Sequence, residues 1–440
     1  MIFIVKQPNI VVIVMDTMRR DAVGAYNGSL TTPALDTLAR DGVVYENAVT
    51  PSSWTLPAHV SLFTGKYPSE HGIHESYDVK TGELVEGMHE GKIGLPATIA
   101  EHLRSKGYNT VGLSANMQVS SYTGMDAGFN AFIDITKKDE TAEQATAYGR
   151  TRGEIVMNLA KQGKFSEMVR LYRQRGQHVR LSENYPIDKG GNWITWLLGR
   201  TSLEQPFFLF INMMEMHDPY PSDVKYIPNQ FHMNDLFGIE IISPGLMDSI
   251  RGEYFEQSRV ADEYLGRLLR FLKGVYDETL IILTSDHGQA LKEKNYYGHG
   301  IYLYDELVRV PMIVKYPKSA KPEKSGIYSL AGVYDMLKSA SEGVFDWKGQ
   351  ELVISETYGI QDSLEGISVS EETRKLYDVP RKAIFKGNYK LVVNGAAGKV
   401  EEFTANGKPL GIGENRDTYE DMVNELYIMK GNEKFNIPSP

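Results

Sequence analysis

Five runs along the chain are apolar at consecutive positions: "NIVVIVM" at 9–15, "NTVGLSA" at 109–115, "FFLFINMM" at 207–214, "TLIILTS" at 279–285 and "VPMIVKY" at 310–316. A strand that is apolar on both faces is buried on both faces, the habit of a central, mostly parallel sheet covered by helices. Between these runs the apolar spacing changes to three and four. "TPALDTLARDG" (32–42) puts Leu35, Leu38 and Ala39 on one face and stops at Gly42, and "LPATIAEHLRSKG" (95–107) behaves alike and stops at Gly107. "YFEQSRVADEYLGRLLRFLKG" (254–274) predicts a long amphipathic helix that leads directly into "TLIILTSDHG". Strand–helix alternation of this kind predicts an α/β fold.

Residues 137–200 break the pattern. They are rich in charge, Gln and Arg, and "EIVMNLAKQGKFSEMVRLYRQRG" within them predicts helix. This is a helical insertion, either a lid or oligomer contact near the site or a solvated decoration. From about 320 onward the pattern shifts to short strands and turns. "RKAIFKGNYKLVVNGAAGKVEEFTANGKP" predicts antiparallel strands joined by Gly- and Asn-rich turns. The expected division is a catalytic α/β domain over 1–320 and a smaller C-terminal α+β subdomain, with a short antiparallel sheet, over 321–440.

Composition narrows the function. The chain has 440 residues, 42% of them hydrophobic, which is enough for a large core. A net charge of −10 without a basic stripe argues against nucleic acid and anionic membranes as partners. A negative protein that acts on an anion must create positive charge locally, and a metal ion does so compactly. There is no cysteine, so disulfides, thiolate catalysis and Cys-ligated metals are excluded. The N-terminal run "MIFIV" is interrupted by Lys6, Gln7 and Pro8, and "IVVIVM" leads into Asp16. That reads as a buried strand. With no apolar stretch of about 20 residues, a cytoplasmic protein without signal peptide or transmembrane segment is expected.

In open α/β sheets, ligands bind at the carboxyl ends of the strands. Asp16 and Thr17 follow the first apolar run; Asp286 and His287 follow another and precede Gly288. One such Asp serves equally as a helix N-cap. Two, one beside a His, point to a shared divalent metal. Mixed carboxylate and imidazole ligands favour Mn or Zn, with Ca or Mg as the oxygen-preferring alternatives. The stretch "SSWTLPAHVSLFTG" (52–65) runs a hydroxyl-rich turn into an apolar segment, as a helix cap or as a nucleophile at a helix start would.

Several blocks in order resemble the sulfatase branch of the alkaline phosphatase superfamily: "PNIVVIVMDTMRRDAVGAYNG", "TPALDTLARDGVVYENAVTPSSWTLPAHVSLFTGKYPSEHGI", "PFFLFINMMEMHDPYPSD", "TLIILTSDHGQAL" and "GHGIYLYDELVRVPMIV". The resemblance covers roughly residues 8–316 and, more weakly, 383–394. It implies an alkaline phosphatase-like fold and a metal-bound nucleophile at a helix N-terminus, attacking phosphorus or sulfur in line through a covalent intermediate. By resemblance Asp16, Thr55, Asp286 and His287 are metal ligands, and Thr17 is a weaker one where sulfatases carry a second Asp. His217 contacts the transferred group or the leaving oxygen. His299 is open to roles as substrate ligand, general acid or ligand of a second metal, which His217 and His299 together leave room for. Asn116 stands near the place of a substrate-binding Lys.

The chain also departs from the family. Sulfatases convert a Cys or Ser to formylglycine in a motif with Pro third and Arg fifth. Here the frame is Thr55-Leu56-Pro57-Ala58-His59, so Thr55 takes the nucleophile position, His59 the place of the Arg, and formylglycine is not expected. Unmodified Thr nucleophiles belong to phosphodiesterases and phosphoglycerol or phosphoethanolamine transferases of the superfamily. The resemblance therefore implies first a hydrolase of phosphodiesters or monoesters. Sulfate-ester hydrolysis, a transferase and an inactive binding protein are the alternatives. The substrate class is a small-molecule, glycan or lipid-headgroup ester; the oligomeric state is left open.

Overall fold

The computed structural model describes residues 7–74, 95–121, 123–135, 188–222, 228–318, 326–360 and 367–428. The helix predicted from "EIVMNLAKQGKFSEMVRLYRQRG" (154–176) lies outside these residues. Of the 137–200 insertion, the described end carries the helix Gly191–Leu198.

The strands in chain order are β1 (Asn9–Met15), β2 (Val43–Val44), β3 (Ala48–Val49), β4 (Asn109–Ser114), β5 (Ala131–Asp134), β6 (Phe207–Met213), β7 (Thr279–Thr284), β8 (Ala290–Leu291), β9 (Tyr297–Gly298), β10 (Met312–Lys315), β11 (Tyr328–Ser329), β12 (Leu352–Tyr358), β13 (Pro380–Lys386), β14 (Tyr389–Asn394), β15 (Lys399–Ala405) and β16 (Lys408–Pro409). Among the described residues the main sheet has seven strands in the order β2-β10-β7-β1-β6-β4-β5. β7, β1, β6, β4 and β5 run parallel, while β10, near one edge, runs antiparallel to both its neighbours, β7 and the edge strand β2. The run at 310–316 is thus a strand of the sheet, reversed in direction.

Alternate residues of each central strand enter different cores. Val11, Ile13, Leu209, Ile211, Ile281 and Leu283 face the helices Pro33–Asp41, Gly191–Leu198 and Pro244–Phe271. Ile10, Val12, Phe208, Phe210, Leu280 and Ile282 face the helices Thr55–Thr64, Ile99–Ser105 and Val333–Ser341. Both faces are covered, so the strands are apolar throughout. The long helix begins at Pro244, well before the expected Tyr254. Ser243 caps it by accepting from Leu246 N–H, and Pro244 fits the first turn, where its missing N–H costs nothing. The helix expected from Leu95 starts at Ile99, where Thr98 and Glu101 form a capping box.

The C-terminal sheet β12-β13-β14-β15-β16 is antiparallel. One face packs on the helix Arg416–Ile428 through Ile384, Leu391, Phe403, Met422 and Val423. The other joins Ile301, Leu303, Leu307 and Val308 beside the main sheet through Val353, Ala383 and Phe385. Lys390 is fully buried between the carboxylates of Asp305 (2.9 Å) and Glu402 (3.2 Å), an ionic tie across this junction.

The short helix Pro68–His71 buttresses the helix Thr55–Thr64. His71 Nδ1 accepts from Ile73 N–H (3.1 Å) and its Nε2–H donates to Ser61 Oγ (3.1 Å). That arrangement is for a neutral ring. Burial, aided by nearby His74, pushes its pKa down to about 3. The unfolded ring has a pKa of about 6.5, so unfolding takes up a proton in between. This contribution is present above about pH 6.5 and is lost as pH falls toward the folded value. Urea midpoints measured across that window are expected to depend less steeply on pH in His71→Gln than in the wild type. Parallel slopes would refute the assignment.

Candidate active site

β7, β1 and β6 are neighbours in register, with Val14 opposite both Thr284 and Asn212, so their carboxyl ends lie level. The residues that follow them therefore meet. Asp16 N–H still bonds to Met213 O (2.9 Å), and then the chain turns sharply. Thr17 has φ +57°, costly for a β-branched residue. Its conformation is held from three sides. Thr17 N–H donates to Asp286 Oδ1 (3.2 Å), Met18 N–H donates to Ser285 Oγ (2.9 Å), and Tyr254 O–H donates to Thr17 O (2.8 Å) while accepting from Arg19 N–H (2.8 Å).

Thr55 opens a helix that is buried along its whole length, and Trp54 before it is extended. Thr55 Oγ1 stands 3.1 Å from His287 Nε2. The other ring nitrogen, Nδ1, donates to Gly288 O at 2.9 Å, which leaves Nε2 with its lone pair. Gly288 is required here: a Cβ would lie 1.9 Å from Glu306 O.

Asp16, Asp286 and His287 are buried and offer one ligand atom each within 4.8 Å of one another. Burial, and then the Asp286 carboxylate, push the Asp16 pKa above the ordinary carboxylate range. Asp16 Oδ1, Asp286 Oδ2 and Thr17 Oγ1 are buried without a hydrogen-bond partner. Paired carboxylates with bare oxygens in a buried place need a cation. Asp286 Oδ2 and His287 Nε2 are 3.4 Å apart, and Thr55 Oγ1 and His287 Nε2 3.1 Å, spacings compatible with ligand bonds of about 2.1 Å to one ion. The donor set fits a divalent metal.

His217, Asp218 and His299 form a second wall. The His299 ring is 4.5 Å from that of His287 and 5.2 Å from that of His217. Burial works against charge on His217, but adjacent Asp218 outweighs it and raises the pKa to about 9. Burial, with the charge of His287 and His217, holds His299 well below the ordinary value.

The structure brings Asp16, Thr17, Thr55, Asp286 and His287 together, with His217 and His299 alongside. Asn116, expected at the substrate, donates from Nδ2 to Asp16 Oδ2 (2.7 Å). His59, standing at the place of the Arg, is fully buried behind Thr55. Its Nδ1 donates to Thr55 O (2.9 Å) and lies 3.6 Å from Asp286 Oδ2, and its Nε2 accepts from Asn212 Nδ2 (3.3 Å). Asn116 and His59 thus hold other site groups in place. Sequence reasoning missed Asn212, Asp218, His232, Tyr254 and Gln289. Asp218 was visible beside His217 in "MHDPY", and Asn212 as a polar residue inside an apolar run; the others carry no local signal.

The family model described as "Sulfatase" matches residues 8–341. The chain belongs to the Sulfatase family. Among curated relatives of this sulfatase-family chain, an uncharacterised sulfatase, YidJ, of Escherichia coli is 22% identical over 359 residues. An N-acetylglucosamine-6-O-sulfatase of Bacteroides thetaiotaomicron is 22% identical over 371. Each match covers 72% of this chain and 64% of the relative, so the chain spans under two thirds of their length. Among solved structures, the phosphonate monoester hydrolase of Agrobacterium radiobacter superposes with a TM-score of 0.62 at 17% identity, covering 96% of this chain and 94% of that one. A 2-O GAG sulfatase superposes with a TM-score of 0.64 at 14% identity, covering 97% and 94%. The shared fold is the expected α/β one. No helix among the described residues is long and apolar enough to cross a membrane.

Tyr254 links the long helix to the strained turn at Thr17. Tyr254→Phe strands the buried Arg19 N–H and is expected to cost about 1–3 kcal/mol, read from urea denaturation. Unchanged stability would show that the turn holds without it.

Proposed function

We propose that the chain is a metal-dependent esterase that hydrolyses a phosphodiester or phosphomonoester, with Thr55 as nucleophile. The observation that carries this reading is the Thr55 hydroxyl, 3.1 Å from the bare Nε2 of His287 at a buried helix start. Asp16, Asp286 and His287 would hold a divalent ion, which would supply positive charge to the anionic ester and acidify the attacking hydroxyl. The first-turn N–H groups of the helix Thr55–Thr64 lack intrahelical partners by geometry and favour an anion at its start. Asn116 and Asn212 hold Asp16 through its Oδ2 (2.7 and 3.5 Å), and His59 fixes the Thr55 carbonyl.

In the first step an O–P bond forms between Thr55 Oγ1 and phosphorus. The bond from phosphorus to the leaving alcohol breaks, and the hydroxyl proton finally resides on that alcohol. Water then displaces Thr55 from phosphorus. His217 and His299 form the wall available to the ester's outer oxygens. In the metal-free chain His217 holds positive charge there, since its pKa stands at about 9.

A second reading, sulfate-ester hydrolysis, is favoured by the curated relatives named as sulfatases. Against it stand the absence of any cysteine and the Thr at the position that formylglycine would occupy. The purified chain is expected to turn over bis-p-nitrophenyl phosphate or p-nitrophenyl phosphate more than a hundredfold faster than p-nitrophenyl sulfate. Thr55→Ala should lower kcat by at least a thousandfold, with Thr55→Ser retaining part of it. Turnover of the aryl sulfate alone would establish the second reading and end the first.

A further inference from the structure

Two buried N–H donors beside His299 have no acceptor among the described residues. Trp54 Nε1 and Gln289 Nε2 are both shut off from solvent and without a hydrogen-bond partner. An indole nitrogen can only donate, and so can the amide nitrogen of Gln. The Trp54 ring lies 5.2 Å from the His299 ring. Gln289 accepts the His299 Nδ1–H on its Oε1 (2.7 Å), which leaves its Nε2–H groups uncommitted. Buried donors left in this state are costly, and in folded chains they nearly always find a partner. Two of them around one histidine call for an acceptor from outside the chain.

Their position says what that acceptor is. Trp54 directly precedes Thr55 in extended backbone. The His299 ring lies 4.5 Å from that of His287, whose Nε2 is 3.1 Å from Thr55 Oγ1. Both donors therefore border the place where an ester attacked by Thr55 sits, and as donors they cannot serve a cation. Nearby lysine and arginine side chains are committed elsewhere. Arg19 pairs with Asp21 and Glu293, both at 2.7 Å. Lys189 donates to the main-chain oxygens of Glu215 (3.1 Å) and His217. His59 and Asn116, standing where cationic side chains were expected, are taken up by Thr55 O and Asp16. Neutral donors stand in their stead.

We infer that Trp54 and Gln289 are substrate-binding residues, whose Nε1–H and Nε2–H donate to non-bridging oxygens of the ester at Thr55. The inference rests on the reading of Thr55 as the group that attacks a phosphoester. A tetrahedral anion carries several lone pairs on each outer oxygen and accepts from both donors at once. Hydrogen bonds to a charged oxygen are shorter and stronger than those between neutral groups. Both donors are held in place by burial, so little reorganisation accompanies the charge that develops on those oxygens. The residue before the attacking hydroxyl thus grips the group under attack.

The test uses the full chain, loaded with Zn(II) and labelled with nitrogen-15 in the indole rings of its four tryptophans. Trp54→Phe assigns the Trp54 signal by its loss and keeps an aromatic ring against His299. Gln289→Glu keeps an acceptor for His299 Nδ1 and removes the free donor. Inorganic phosphate and sulfate are titrated in turn. The Trp54 indole proton is expected to move downfield as phosphate binds, while those of Trp193, Trp196 and Trp347 stay in place. Trp54→Phe and Gln289→Glu, each checked for folding by circular dichroism, are expected to bind phosphate about 10-fold more weakly and to lose a similar factor in kcat/KM. A purely structural role would change stability and leave the indole signal unmoved by the anion. A Trp54 signal that stays in place with both anions, or unchanged phosphate and sulfate affinity in either variant, would overturn the inference and assign the two donors to bound water. Turnover is scored separately. A Trp54 shift with sulfate, together with turnover of the aryl sulfate alone, ends the phosphoester reading and leaves Trp54 and Gln289 as ligands of the anion. Phosphoester turnover that Thr55→Ala abolishes, with a stationary Trp54 signal, does the reverse.

Discussion

Two carboxylates that water cannot reach are the constraint around which this protein is arranged. Asp16 and Asp286 end adjacent parallel strands and are almost completely buried. Burial and mutual repulsion disfavour the double charge, so the fold must bring compensating groups to them. Asn116 and Asn212 donate to Asp16, the N–H groups of Thr17 and His287 donate to Asp286, and His59 lies beside Asp286. The remaining bare oxygens are left for a cation. The strained backbone at Thr17 belongs to the same arrangement, because it turns the Thr17 N–H onto Asp286.

That arrangement is only as rigid as the sheet beneath it. The central strands bury alternate residues in two separate cores, which fixes register, since a slip of one residue would exchange the faces. Register in turn keeps the ends of β7, β1 and β6 level. The helix carrying Thr55 is buried on all sides, and the hydroxyl at its start inherits this fixed position. Acting as the proposed nucleophile, a hydroxyl set in this way would need little reorganisation when charge develops, usually the largest contribution a protein site makes to such reactions.

The departures from the family pattern form a consistent set. Thr55 replaces a modifiable residue, His59 replaces a cation and turns inward, and Asn116 is committed to Asp16. With fewer side-chain cations beside the site, the metal proposed on Asp16, Asp286 and His287 would supply the positive charge. The two walls, one with two carboxylates and a histidine and one with two histidines and a carboxylate, meet at His287 and His299.

Much of this was legible in the sequence, because the signals are local. Consecutive apolar runs ending in Asp or Asp-His mark buried strands that emerge at a polar edge, and these runs gave the main sheet and Asp16, Asp286 and His287. The hydroxyl-rich turn before "LPAHVSLF" marked the start of the helix Thr55–Thr64. Sequence by itself thus determined the α/β class, the strand ends bearing the candidate metal ligands and Thr55 as the candidate nucleophile. Other features depended on distant partners. The start of the long helix at Pro244 was obscured by Gly245 and Gly252, which propensity alone assigns to a turn. Tyr254 acts on the turn at Thr17, Gln289 on the ring of His299, and His232 on Asp218, each across a separation no local pattern encodes. Only the tertiary structure decided that His59 and Asn116 face protein groups and that Asp218 joins His217 and His299. Side-chain direction at a buried site is set by which neighbours offer donors and acceptors, and those neighbours exist only once the strands are side by side.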